Sequence, residues 1–199
     1  MAEKIREPRQ KRSIEKKRKI IMAGFHLFCE KGYYNTNTAE IAEYAGVSTG
    51  TVYSYFNDKT DIYIVAFEDY LNEQTKSIIA ELKKQKVFVL HDFINSWIDL
   101  YFNVFGQSNK ALSELNSVMS KETALNKHFS SFETEFTEEV FNFLKRQENF
   151  RKLSIEKTYL AFLLIDALCK ERATHLHDEI DYNILKSNAV TSIEIILQD

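Results

Sequence analysis

The stretch Thr38–Phe56, TAEIAEYAGVSTGTVYSYF, decides how this chain is read. With Thr38 as position one, Ile41, Ala42, Ala45, Val47, Val52 and Tyr55 fall at positions four, five, eight, ten, fifteen and eighteen, and Gly46 at nine. That spacing predicts two short helices joined by a tight turn. Ala42 is small enough for two helices to cross closely, and Gly46 suits the left-handed conformation that ends a helix and redirects the chain. Ile41, Val47 and Val52 clamp both helices onto a shared core, and Ser48 caps the second helix through its hydroxyl. Such a helix-turn-helix offers its second helix to the major groove of DNA.

Composition fixes the fold class around this unit. One proline (Pro8) and five glycines in 199 residues leave little to interrupt helices, and 44% hydrophobic content is enough for a sizeable core. An all-α chain of about nine helices is expected. No apolar run approaches the ~18 residues that cross a bilayer, and the charged N-terminus lacks a signal-peptide core, so a cytoplasmic location is expected. Cys29 and Cys169 are too few for a disulfide framework and lack metal-ligand spacing; they read as small core residues. No cofactor and no metal are expected.

The net charge of −3 conceals an asymmetry. Residues 1–60 carry eleven Lys and Arg against seven Asp and Glu, whereas the remainder carries fifteen against twenty-two. A basic front beside a helix-turn-helix suits contact with nucleic acid at that end, although Lys11–Lys19 also reads as a solvated helix face.

Along the chain, residues 1–12 read as a mobile basic arm. A first helix is expected over Ser13–Lys31, with Ile20 or Ile21, Phe25 and Phe28 on one face, stopped by Gly32. Thr38 is expected to cap the second helix, and the third covers Thr49–Phe56. Asp58 caps a fourth that reaches about Lys84. Further helices are expected over Val87–Phe105, Lys110–Met119, Thr123–Gln147, Ser154–His177 and Asp181–Leu197.

From Phe28 to Lys59 the residues are more specific than a general helix-turn-helix. Phe28, Gly32, Tyr33, Thr38, Ile41, Ala42, Ala45, Gly46, Val47, Ser48, Gly50, Thr51, Tyr53, Tyr55, Phe56 and Lys59 stand where the TetR family of bacterial transcriptional regulators has them, so residues 13–65 resemble that family's head. Ile62 replaces the more usual Leu. The resemblance implies a DNA-binding domain at 1–60 and a helical ligand-binding and dimerisation domain at 61–199. It further implies a homodimer on a palindromic operator, and a small-molecule effector that weakens DNA binding.

The expected DNA-facing set is Lys16, Lys17, Thr38, Ser48, Thr49, Gly50, Thr51, Tyr53, Ser54, Tyr55 and Lys59. Thr38 stands at a helix N-terminus, where free amides hold phosphate. Thr49, Gly50 and Thr51 open the recognition helix, Gly50 allowing close backbone approach and the threonine methyls suiting thymine. Tyr53 is the largest group expected in the groove. Tyr55 reads either as a phosphate donor or as partly buried. Lys59 is expected on a phosphate, and Arg9, Lys11 or Arg12 in a minor groove. The recognition helix has no Arg, Lys, Asn or Gln for bidentate base contacts, so specificity leans on apolar contacts, water and DNA shape.

In the body, Phe93, Trp97, Tyr101 and Phe105 recur every four residues. With Phe67, Tyr70, Met119, Phe132 and Phe136 they read as the wall of a pocket for an apolar or aromatic ligand, or else as plain core. Asp166 sits in the apolar run YLAFLLIDALC and must be paired, with a cationic ligand or at an interface, or stand partly wet. The resemblance implies a dimer interface on the apolar faces of the two terminal helices, Tyr159, Phe162, Leu163 and Ala167 of one and Ile184, Leu185, Ile193 and Ile196 of the other, with burial within one subunit as the alternative. His175, His177, Asp178 and Glu179 form the one His–carboxylate cluster in the sequence. Two residues apart, its histidines point different ways on a helix, and no catalytic motif accompanies them, so no enzyme is expected. The leading expectation is a ligand-released homodimeric repressor. Alternatives are an activator, a regulator controlled by a protein partner, and a helical ligand-binding protein without DNA binding.

Overall fold

The computed structural model describes residues 6–84, 87–105, 110–174 and 177–198, with side chains for 11–84, 87–105, 110–173 and 177–198. Among the described residues there are nine α-helices and no strand: α1 (Arg6–Lys31), α2 (Thr38–Tyr44), α3 (Thr49–Tyr53), α4 (Lys59–Leu82), α5 (Leu90–Phe105), α6 (Lys110–Met119), α7 (Thr123–Leu144), α8 (Ile155–Thr174) and α9 (Tyr182–Gln198). Every expected helix is present. None of them, among the described residues, is long and apolar enough to cross a membrane.

The departures occur at helix ends. The mobile arm expected over residues 1–12 is helical from Arg6 onward, while residues 1–5 lie outside the described part. Pro8 falls in the first turn, where its missing N–H has no intrahelical partner to lose. The second helix is capped by Asn37 rather than Thr38. The Asn37 side chain accepts from the amides of Ala39 and Glu40, each at 3.0 Å, and Glu40 returns a bond to the Asn37 amide, completing a capping box. The third helix stops at Tyr53, three residues short of expectation.

The chain divides into two compact units: Met1–Leu71 with Lys110–Asn126, and Asn72–Asn109 with Lys127–Asp199. In the first, Ile20, Leu27 and Phe28 of α1, Ile41 and Ala42 of α2, Val52 of α3 and Ile62, Tyr63 and Phe67 of α4 are buried together with Leu115 and Val118 of α6. The Phe28 and Tyr63 rings meet edge to face at 5.0 Å, and Tyr63 stacks on Phe67 at 4.3 Å. α1 and α4 cross at Gly24, where an added Cβ would lie 2.6 Å from Cγ2 of Ile62.

In the second unit, one core runs through Ile78, Phe93, Trp97 and Tyr101, continues through Phe136 and Val140, and closes on Phe162, Ile165, Val190 and Ile193. Arg172 of α8 lies between the rings of Phe102 (3.9 Å) and Tyr182 (4.3 Å), so its flat guanidinium fastens α8 to α5 and α9.

Replacing Gly24 by Ala should overpack the α1–α4 crossing and lower the melting temperature followed by circular dichroism, at a cost of about 1–3 kcal/mol. An unchanged melt would show that the crossing relaxes freely.

Candidate nucleic-acid interface

The interface starts from the turn between α2 and α3. Gly46 holds φ +67°, and its amide donates to the Glu43 carbonyl at 3.0 Å while the Val47 amide donates to that of Ala42, also at 3.0 Å. These bonds cap the end of α2, and the chain leaves in a new direction. Ser48 then caps α3, its hydroxyl accepting from the Thr51 amide at 3.2 Å and pairing with the Thr51 hydroxyl at 2.8 Å. Ile41 and Val52 are fully buried and Val47 partly so, which makes this clamp the one the spacing called for.

What α3 leaves outside is Thr49, Gly50, Tyr53 and Ser54, all exposed, with Tyr53 at 57%. Gly50 is informative. Its φ is not positive, and a Cβ built there would meet nothing within 4 Å. Glycine inside a helix costs roughly 0.5–1 kcal/mol relative to alanine. Neither backbone conformation nor internal packing requires Gly50. Ser54 donates to the Thr51 carbonyl at 2.6 Å, which occupies its proton. The Tyr55 hydroxyl pairs with Ser13 of α1 at 2.9 Å, so the partly buried alternative is the one observed. Phe56 is buried, with the Lys17 ammonium 5.6 Å from its ring centre; Lys16 is exposed.

Lys59 has a different setting from the expected one. Its ammonium donates to the carbonyls of Tyr33 at 2.7 Å and Thr36 at 3.0 Å and lies 4.4 Å from the Tyr33 ring centre. Two of its three N–H bonds therefore fasten the α1–α2 loop. Glu114 of α6 holds the same loop by accepting from the Tyr33 amide at 2.6 Å. Lys110 pairs with Glu30 at 2.8 Å, and the Tyr34 hydroxyl donates to Glu122 at 2.8 Å. Glu30 is exposed; the Lys110 ammonium lowers its pKa, and such a surface pair adds little stability. Glu114, Glu122 and Asn37 were not singled out from sequence. Only Asn37 had a local signal, the Asn-x-x-Glu of its capping box.

The residues nominated for a ligand are divided between the units. Phe67, Tyr70 and Met119 belong to the first, Phe67 fully buried against Tyr63. In the second, Phe93, Trp97, Tyr101 and Phe136 are buried in the core, with Phe105 at its edge. Clefts of ≈ 410 Å³ (Phe88, Leu90, Gln147, Glu148, Asn149, Phe150 and Gln198) and ≈ 420 Å³ (Thr134, Thr137, Ile155, Glu156, Tyr159, Leu160 and Leu163) are lined by none of the nominated ligand residues. Asp166 is satisfied within its own chain: one oxygen accepts from the Tyr101 hydroxyl at 2.9 Å and the other pairs with Lys170 at 2.7 Å. Burial and then the Asp166 charge hold the Tyr101 hydroxyl well above its usual pKa, so it remains a donor.

Of the expected dimer residues, Tyr159, Leu163, Ala167 and Ile184 are exposed, and Leu185 and Ile196 are half-buried. Phe162 and Ile193 are a correction, because both point into the core of their own chain. Leu160 and Ile195, at 46% and 56% exposure, stand on the outer faces instead. His177 pairs with Glu171 at 2.8 Å at the surface, while His175 lies outside the described residues. Burial raises the Cys29 thiol to about 11 and that of Cys169 to about 12, leaving both protonated at neutral pH. Among the described residues no group of three or more His, Cys, Asp or Glu forms a metal site.

A helix-turn-helix with an exposed, glycine-bearing recognition helix beside a basic α1 defines the class of helical DNA-binding heads. Residues 20–66 match the family described as "Bacterial regulatory proteins, tetR family". HbdR, an HTH-type transcriptional regulator of Aromatoleum sp. (strain CIB), is 39% identical over 69 residues, covering 35% of this chain and 30% of its own length. The chain thus aligns with about a third of that relative. IcaR, the HTH-type negative transcriptional regulator of the icaADBC biofilm operon in Staphylococcus aureus (strain Newman), is 27% identical over 85% of this chain and 96% of its own. The fatty acid degradation regulator FadR from Bacillus halodurans superposes with a TM-score of 0.61 at 19% identity, over 89% of this chain and 94% of its own, which shows a shared fold. These relatives are regulators, and no enzyme family is indicated.

Replacing Gly50 by Ala should leave the melting temperature unchanged or raise it, while weakening DNA binding in a fluorescence anisotropy titration by tenfold or more. Unaltered affinity would place α3 away from DNA.

Proposed function

We propose that this chain is a homodimeric transcriptional repressor that reads a palindromic operator through α3 and leaves it when a small apolar or aromatic ligand binds. The observation that carries this reading is Gly50, a helical glycine with no internal reason to be one, amid exposed Thr49 and Tyr53. Thr38, Ser48, Thr49, Gly50, Thr51, Tyr53 and Ser54 form the DNA face, flanked by Lys16 and Lys17. Tyr55 and Lys59 act on DNA through what they hold in place, α1 for Tyr55 and the Tyr33–Thr36 loop for Lys59. Residues 1–60 serve DNA binding, and 61–199 serve ligand binding and dimerisation. A protein that reads chromosomal operators works in the cytoplasm.

Exposed apolar groups on both terminal helices support the dimer. Tyr159, Leu160 and Leu163 of α8 and Ile184 and Ile195 of α9 stand between 36% and 62% exposed, more apolar surface than two terminal helices need leave to water. The likeness to IcaR, a negative regulator, along nearly its whole length supports repression. Trp97 supports the ligand: its indole N–H is buried in an aromatic core and meets no acceptor among the described residues. An unmade buried hydrogen bond is costly, and a ligand carrying an acceptor would complete it. The name of FadR, a fatty acid degradation regulator, agrees with an apolar effector.

In a mobility-shift assay at low salt, the full chain should retard DNA from upstream of its own gene. Light scattering should give twice the 23.3 kDa chain mass. The double variant Leu163→Glu, Ile184→Glu should be a folded monomer that retards the same DNA at least tenfold less well. Absence of any retarded DNA would sink the regulator reading. A dimeric double variant would move the interface elsewhere.

A further inference from the structure

The first fourteen residues of α1, Arg6–Lys19, are helical although the described side chains among them bury little surface. None of the described side chains from Lys11 to Lys19 is buried, and the first core residue of the helix is Ile20. A helical segment that buries little surface gains little from packing, and a largely polar one is stabilised by a partner or by a dense set of internal ion pairs. Internal pairs cannot be dense here, since the segment holds eight Lys and Arg against two Glu. Its own charges repel, which makes the missing partner an anion.

The arrangement of those charges says where that anion lies. Within the head, the core stripe of α1 runs through Ile20, Gly24, Leu27 and Phe28. Continued toward the N-terminus in steps of three and four, the same stripe holds positions 17, 16, 13, 9 and 6, which are Lys17, Lys16, Ser13, Arg9 and Arg6. Ser13 and Lys17 stand beside the end of α3, Ser13 bonded to the Tyr55 hydroxyl at 2.9 Å and Lys17 over the Phe56 ring. The stripe therefore leaves the head next to the recognition helix and changes there from apolar to basic. An apolar continuation would call for protein. A basic one calls for an anionic surface that extends past α3.

We propose that Arg6–Lys19 is a rail that lies as a helix along the phosphates of duplex DNA flanking the sequence read by α3. This rests on the regulator reading above and extends its DNA contact outward. At 1.5 Å per residue the segment is about 21 Å long, or about six base pairs at 3.4 Å each. It replaces, for residues 6–12, the flexible minor-groove arm expected from composition. Contacts of this kind carry little sequence information; they raise affinity and fix the register of the head on the duplex.

The test uses the full chain and two duplexes: the shortest upstream fragment that it retards, and that fragment with ten further base pairs at each end. Affinity is measured against salt concentration. The longer duplex should bind more tightly and with a steeper salt dependence. The double variant Arg6→Gln, Arg9→Gln should lose about two units of logarithmic salt slope per chain on the longer duplex and nothing on the shorter. Gln10→Pro keeps every charge but interrupts the helix, and should lose the same slope. Circular dichroism melts of both variants should match the parent, because neither substitution touches the core. A double variant with the parental slope on both duplexes overturns the rail. A Gln10→Pro protein with the parental slope, beside a weakened double variant, means a flexible arm and overturns it too. A parent chain that retards no duplex defeats the regulator reading itself, and the rail with it.

Discussion

Gly46 holds a positive φ that few other residues tolerate, and the aim of α3 depends on it. A Cβ at this position would meet nothing, so space is not the constraint; backbone conformation is. The two amide bonds that close α2 exist only in that conformation, and Ser48 begins α3 two residues later. Gly24 presents the opposite case, an ordinary helical residue where a methyl would collide with Ile62. Gly50 has neither reason. Gly24 and Gly46 thus answer different demands, room for a crossing and a left-handed turn.

The head is completed from far along the chain. α6 lies in the same compact unit as α1–α3, and its Glu114 holds the Tyr33 amide across 81 residues of sequence. Lys59 grips the carbonyl side of that loop. The loop is thereby held at both its donor and acceptor groups, directly before Asn37, whose capping box starts α2. Because a charge-assisted bond to a backbone amide is worth roughly twice a neutral one, Glu114 contributes more than the surface pair Lys110–Glu30. The position of α2, and of α3 beyond it, depends on this grip.

Much of this was legible in the sequence because helix-turn-helix geometry follows from local rules. Ile41, Val52, Gly46 and Ser48 are each chosen by requirements a few residues wide. The aromatic repeat Phe93, Trp97, Tyr101 was legible as one helix face, though its spacing alone does not separate pocket from core, and the structure packs it into core. The start of α1 was missed because a basic helix without apolar periodicity looks like an arm. Thr38 and Asn37 are both capping types, and only the placing of Glu40 three residues after Asn37 separates them. α8 is apolar on almost every side from Tyr159 to Cys169, so periodicity could not choose between Phe162 and Leu160 for its outer face. Glu114 gave no local signal at all, since its role is set by tertiary contact.

The central claim is that two copies of α3 enter neighbouring major grooves of one operator. Hydroxyl-radical footprinting of the full chain on its upstream DNA tests it most directly. The account predicts two protected stretches related by approximate two-fold symmetry, with centres about ten base pairs or a multiple of ten apart. Uniform cleavage at low salt, or protection that follows no sequence, would contradict it.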